Sequence, residues 1–203
     1  MLRKVPCTLL MLFGTLPLSV GDTSHLQSVL TVSSPADFES AFSVVMRHED
    51  PGLNGIITVD QGGRTRFGVS EKAHPEAWKN GPPSFDDALK LAQVEFWDRH
   101  RLAGVNSQEV ANYILDMIYN EGPAAIKRVQ VALNDFEFVA VDGGLGAQTL
   151  AAINRQEPAD FLRALSHHRK LFYKHLADEN RVNARWLPIW LQRAADGVPE
   201  PQA

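Results

Sequence analysis

Apolar residues recur at helical spacing along most of this chain. Phe38, Ala41, Phe42, Val45 and Met46 form the first stripe, and that period predicts a helix with one buried face. Ser34-Pro35 reads as its start, with serine as cap and proline at the first helical position, and Glu49 falls at its end. Alternation takes over at Ile57-Thr-Val59 and Thr65-Arg-Phe67, either side of Gly62-Gly63, and predicts a short hairpin. Ser70 then reads as the cap of a brief helix through Trp78. Ser84-Phe-Asp-Asp87 resembles a capping box and opens a helix with Phe85, Leu89, Ala92 and Phe96 in a stripe. Ser107 starts a helix containing Val110, Ala111, Ile114, Leu115 and Ile118, ended by Gly122. Pro123 starts the next, with Ile126, Val129 and Leu133 inward. Val141-Asp-Gly-Gly-Leu-Gly146 breaks the pattern before a helix near Gln148. A long helix from about Ala159 to Glu179 and a Trp-rich one from Arg185 to Ala195 follow. The pattern predicts a mostly α domain with one short β-hairpin, and contains no internal repeat.

The first 21 residues differ in character. Met1-Leu-Arg-Lys4 is basic, Leu9 to Val20 is largely apolar, and Ser19-Val20-Gly21 supplies small residues before Asp22. Residues 1–21 therefore read as a signal peptide and 22–33 as a polar linker, which implies a periplasmic or secreted protein. A membrane-spanning helix fits less well, because Pro17 breaks a run already short for a span. A misassigned start codon would instead leave the protein cytoplasmic. After signal removal no stable membrane insertion is expected. The only cysteine, Cys7, lies in this segment, so the mature chain would hold itself together without a disulfide. Its 44% hydrophobic and 22% charged residues are an ordinary globular balance. The net charge of −4 becomes −6 without Arg3 and Lys4, which argues against nucleic acid as a partner.

The chemistry concentrates in His48 to Ser70. Glu49 closes the first helix, and eleven positions later Asp60 opens Asp60-Gln-Gly-Gly-Arg-Thr65. A carboxyl group at a helix end, facing a glycine-rich turn with a second carboxylate, suits glycosidic cleavage: one group protonates the leaving oxygen, another stabilises the cation or activates water. Glu49 could equally be an exposed glutamate paired with Arg47 or Arg66. Asp60 could be an Asx-turn residue of the hairpin, and Thr65 an ordinary strand residue. Asp116 and Asn120 lie four apart on one helix face, which either borders a cleft or is a solvated edge. Tyr119 and Trp97 could stack on sugar, with Trp97 better suited to the core. His167, His168 and His175 share a helix, but their spacing leaves them two turns apart and no His-Glu-x-x-His is present, so no metal is expected. Nucleotide-binding loops, a nucleophile elbow and a catalytic cysteine are also missing from the mature sequence.

Glu49, Asp60, Gly62, Gly63, Thr65, Phe67, Gly68 and Val69 resemble the opening motif of glycoside hydrolase family 108, the phage-type N-acetylmuramidases that include secretion-activator-like lysozymes. That family has Gly-Gly after the glutamate, where this chain has Asp50-Pro51-Gly52. The family's later motifs are matched in order by Leu115-Asp116-Met-Ile-Tyr-Asn120-Glu-Gly122, by Val129-Gln130 with Asp142-Gly143-Gly-Leu-Gly146-Ala-Gln-Thr149, by Arg169-Lys-Leu-Phe172-Tyr173 and by Trp190-Leu-Gln-Arg193. The turn at Asp142 resembles the family's peptidoglycan-binding C-terminal segment.

The resemblance implies a lysozyme-like helical fold. It implies a catalytic region over 34–122 and a peptidoglycan-binding-like region over 123–197, packed on one core. The implied activity is cleavage of the β-1,4 bond between N-acetylmuramic acid and N-acetylglucosamine in peptidoglycan glycan strands, without a cofactor. Glu49 is then the general acid and Asp60 its partner, with Thr65, Asp116, Tyr119 and Asn120 binding substrate. A lytic transglycosylase, or a non-catalytic wall-binding or secretion-adaptor protein, is the alternative.

Overall fold

A computed structural model describes residues 35–60 and 63–200. The expected signal peptide 1–21, linker 22–33 and Ser34 cap, and the Gly62 of the glycine pair, lie outside the described residues. The first helix, α1 (Phe38–Glu49), starts later than Ser34-Pro35 suggested, because Asp37 takes the capping role by accepting a 2.7 Å hydrogen bond from the Ser40 amide. Its apolar stripe of Phe38, Ala41, Phe42, Val45 and Met46 is buried as the period required.

That stripe packs on the central helix α3 (Gln108–Glu121). Ser107 caps α3 through the Val110 amide, and Gly122, at φ +79°, ends it. From Val110 to Ile118, every residue of α3 except Asn112 is buried. The helix is therefore enclosed on almost every side, so Asp116 cannot be a solvated edge.

Between α1 and α3 lie the sheet and a lateral helix. Strands β1 (Thr58–Asp60) and β2 (Gly63–Arg66) pair antiparallel with Thr58 opposite Thr65 and Asp60 opposite Gly63, the expected hairpin. A third strand, β3 (Val69–Ser70), adds to β2 with Arg66 opposite Val69. Ser70 thus belongs to a strand, and the brief helix shrinks to a 3-10 turn at Pro75–Trp78. Phe67 and Gly68 join β2 to β3 with φ of +47° and +82°, the two positive angles that a two-residue type I′ turn demands. Under the sheet Phe67, Val69, Trp78 and Ala88 form a small cluster, and the Trp78 Nε1–H donates to the Val69 carbonyl.

Helix α2 (Phe85–Ala92) opens on a complete capping box between Ser84 and Asp87. It continues as a π-helical stretch, Gln93–Asp98, closed by an Arg99 N–H to Val94 carbonyl bond. The wider turn shifts the buried face by about one residue. Trp97, only 3% exposed, joins Phe38 in the core, and Phe96 still reaches Tyr119 at 5.0 Å between ring centres.

The second half is helical: α4 (Ala125–Leu133), α5 (Ala147–Arg155), α6 (Pro158–Glu179), α7 (Arg181–Ala184) and α8 (Leu187–Ala195). The expected Trp-rich helix from Arg185 to Ala195 is α8, which starts at Leu187 with Pro188 in its first turn, and Asn180 caps the short α7 before it. Before α5, Gln130 of α4 is fully buried, donates to the Asp142 carboxylate and the Gly144 carbonyl, and accepts from the Gly143 amide. That one side chain fixes the Asp142-Gly143-Gly144 turn. A continuous core runs from Ala36 in the first half to Leu165 in α6.

Candidate active site

Glu49 is the last residue of α1, and the chain leaves the helix through Asp50, whose amide still bonds to the Met46 carbonyl. The Asp50 carboxylate then accepts from the Asn54 and Gly55 amides at 3.2 and 2.7 Å. This is how the loop turns without the Gly-Gly pair: a side chain supplies the acceptors that shape it. Arg66 pins the far side by donating to the Gly55 carbonyl at 2.9 Å. Arg66 is thereby occupied with backbone and not with Glu49. The loop and β1 expose Leu53, Ile56, Ile57 and Val59 to solvent.

The partner of Glu49 is Arg193, 144 residues away on α8. Its Nη1 donates to Glu49 Oε1 at 2.9 Å, and the Glu49 side chain retains 13% exposure. The remaining edge of the guanidinium is taken by Asp116 of α3: Nε lies 3.1 Å from both carboxylate oxygens and Nη2 donates to Oδ1 at 2.6 Å. Behind Asp116 stands Arg169 of α6, fully buried, with Nη1 2.8 Å from Asp116 Oδ2 at an angle too bent for a good hydrogen bond. Its Nε donates to Glu121 Oε1 at 2.7 Å, and Arg128 of α4 reaches the other Glu121 oxygen. Three carboxylates and three guanidiniums thus alternate through the interior, with the most buried in the middle: Glu49, Arg193, Asp116, Arg169, Glu121 and Arg128. Alternation balances the charge, without which burial on this scale would be prohibitive.

The aromatic residues complete the packing. The Tyr173 hydroxyl donates to Asn120 Oδ1 at 2.6 Å and stands 2.9 Å from Arg169 Nε. Its ring stacks on Trp190 at 5.4 Å. The Arg169 guanidinium lies 5.3 and 5.5 Å from the ring centres of Tyr113 and Tyr173. Those π faces account for its Nη2, which has no hydrogen-bond acceptor among the described residues. Burial would push the Asp116 carboxyl up, but the Arg193 and Arg169 charges overcome it and hold the group at about 2. Burial likewise works against the charge of both arginines, and it is more than restored by Asp116 together with Tyr173 and Glu121 around Arg169, and by Asp116 together with Glu49 around Arg193. Asp116 is therefore ionised well below neutral pH, and the arginine that grips Glu49 is held from behind.

Asp60 ends β1 opposite Gly63, which puts its backbone on the sheet that follows the Glu49 loop. Thr65 lies in the middle of β2, 8% exposed. Asp116 and Asn120 share a face as their spacing required, and that face meets α6 and α8. Tyr119 packs its ring against Phe42 and Phe96, and its hydroxyl donates to the Phe67 carbonyl at 3.2 Å. Among the histidines, His48 lies 3.1 Å from Asp196, His168 pairs with Asp135 and His175 with Glu179.

The roles of Arg193 and Arg169 were missed by sequence reasoning. A signal for Arg169 was available: it lies in register with Leu162, Leu165, Ser166 and Tyr173 on the buried stripe of α6. An arginine in such a stripe requires a buried carboxylate on a facing helix.

Comparison with known proteins agrees with this geometry. Residues 44–122 match the Glycosyl hydrolase 108 family, and residues 124–195 match the family described as Predicted Peptidoglycan domain. No curated protein matches the chain. The solved structure of Brucella abortus SagA has a similar fold, with a TM-score of 0.58 at 22% identity, covering 78% of this chain and 94% of that one. The two family regions meet at Pro123, and the Glu49–Arg193–Asp116 contacts join them. With its first half matching the glycosyl hydrolase 108 family and its second half a peptidoglycan domain, the protein is a glycoside hydrolase with a peptidoglycan hydrolase role.

Proposed function

We propose that the protein is an N-acetylmuramidase that cuts the β-1,4 bond between N-acetylmuramic acid and N-acetylglucosamine, with Glu49 as the general acid. The observation that carries this reading is the placement of Glu49. It is a carboxyl group at a helix end, its side chain 13% exposed, with one oxygen held by Arg193. Holding Oε1 leaves Oε2 to meet the glycosidic oxygen. As the bond to the anomeric carbon breaks, the Glu49 proton passes to the leaving sugar, and water adds to the resulting oxocarbenium-like carbon.

Asp60, on the sheet beyond the loop, guides that water or stabilises the cation. The exposed Leu53, Ile56 and Val59 offer apolar surface to sugar-ring faces and acetamido methyls. Thr65, Asp116, Tyr119 and Asn120 serve the site at one remove: Asp116 orients Arg193, Asn120 holds Tyr173, and Thr65 and Tyr119 fix the sheet against α3. What supports this is that the polar groups of Asp116, Tyr119 and Asn120 already bond to protein partners. Residues 34–122 carry the chemistry, while 123–197 engage the wall polymer and brace the site. The substrate lies outside the cytoplasmic membrane, so the protein works there. Among the described residues no helix is long and apolar enough to cross a membrane.

The test is a digest of purified peptidoglycan by the wild type and by Glu49→Gln, with mass spectrometry of the released fragments. The proposal expects reducing N-acetylmuramic acid ends from the wild type, and turnover reduced at least ~100-fold in the variant. Anhydro ends would reassign the protein as a lytic transglycosylase. An active Glu49→Gln would remove Glu49 from the chemistry.

A further inference from the structure

We infer that Arg193, contributed by the peptidoglycan domain, is a positioning residue for Glu49, so that the second half of the chain completes the active site of the first. This rests on Glu49 being the general acid. A helix-terminal glutamate has three side-chain torsions, and α1 itself restrains none of its carboxylate. The Nη1 contact at 2.9 Å supplies that restraint from α8. An arginine reaching outward from a surface helix would be too mobile to do so. Here it is anchored by three donor contacts to Asp116, and Asp116 is anchored by the buried Arg169. The planar guanidinium matters, because one edge binds Asp116 while a separate N–H remains for Glu49, and a lysine cannot hold both in fixed geometry.

The arrangement also explains why Arg169, Tyr173, Trp190 and Arg193 occur together late in the chain. Tyr173 stacks on Trp190, which lies one turn before Arg193 on α8, and Arg169 is one turn before Tyr173 on α6. All four therefore converge on Asp116 and its neighbours. No sugar contact is needed to account for them.

The charged groups around Glu49 are Arg193 from α8, Asp116 from α3, Arg169 from α6 behind Asp116, and His48 next to it on α1. Of these His48 is turned to Asp196 at 3.1 Å, leaving Arg193 as the cation in direct contact among the described residues.

The experiment compares Arg193→Gln and Arg193→Lys with wild type in the full chain, measuring kcat and KM separately on soluble peptidoglycan fragments. Circular dichroism establishes that each variant is folded. Arg193→Gln is expected to lower kcat by about 10- to 100-fold with KM changed less than about 3-fold. Arg193→Lys keeps the charge opposite Asp116, and with it the fold, while kcat still falls. A role confined to stability would leave the kcat of folded protein unchanged in both variants, and that result overturns the inference. Should Arg193→Gln fail to fold, full kcat in Arg193→Lys overturns it as well. Glu49→Gln run alongside separates the two levels. If that variant is inactive while both arginine variants match wild type, only the positioning role fails; if it is active, the assignment of Glu49 fails and the positioning role with it.

Discussion

Replacing Asp116 by asparagine removes the one anion that faces both Arg193 and Arg169. Asparagine nearly matches the shape, so the effect is electrostatic. Arg169 has no exposure and the Arg193 side chain has 10%, so neither charge can turn to water. Breaking a buried pair by deleting one partner costs roughly 3–5 kcal/mol, a large share of a typical domain stability of about 5–15 kcal/mol. The pH dependence supplies a second, sharper number. The Asp116 carboxyl is depressed from 3.8 to about 2 in the folded protein. At about 1.36 kcal/mol per unit, that shift is worth roughly 2–3 kcal/mol of stability. Because the folded value is the lower one, this contribution is present in full above the unfolded value and is lost as pH falls towards 2.

About 1.5 kcal/mol of it disappears between pH 5 and pH 2.5. The asparagine side chain cannot titrate, so the stability gap between wild type and Asp116→Asn narrows by that amount over the same interval. Carboxylates outside the network titrate alike in both proteins and cancel. Urea unfolding followed by circular dichroism at pH 7, 5, 3 and 2.5 measures the gap directly. A gap below about 1 kcal/mol at pH 7, or one that stays constant down to pH 2.5, would refute the reasoning.

Gly68→Ala places a methyl 1.9 Å from the Tyr119 hydroxyl at a backbone φ of +82°. Tyr119 is wedged between Phe42 and Phe96 and cannot retreat, so a loss of about 2–4 kcal/mol is expected in urea unfolding; an unchanged midpoint would show that the turn can relax. Tyr119→Phe loses the bond to the Phe67 carbonyl and should cost about 0.5–1.5 kcal/mol by the same measurement. Gln130→Ala removes the three bonds that its side chain makes to the Asp142 turn; a stability loss of about 2–4 kcal/mol is expected, with faster amide exchange at Gly143, and protection equal to wild type would count against its role. Ser84→Ala breaks the capping box of α2 and should cost about 1 kcal/mol, read as a shift in thermal midpoint with kcat unaltered.

The local elements were legible because each is fixed by neighbours in the chain. Helical period placed α1, α3, α4 and α6, the Ser84–Asp87 box and Gly122 set helix ends, and alternation around the glycine pair marked the hairpin. Where local signals misled, a competing local interaction won: Asp37 displaced Ser34 as the cap of α1, and the Phe67-Gly68 turn drew Ser70 into a strand. The π-helical stretch after Ala92 left no mark in the period, because a single widened turn preserves the apolar composition on which the period rests. Glu49 stood out from its position at a helix end before a glycine-rich turn, and Asp116 and Asn120 from their shared face. Their partners did not. A guanidinium on α8 meets a carboxylate on α1 only after α3 and α6 have packed between them, and no spacing in a linear sequence encodes a contact made across 144 positions. Sequence alone determined which residues carry charge, and which helix faces must be buried. Tertiary packing decided which opposite charges meet, because burial leaves an ion no partner but the one that the fold brings to it.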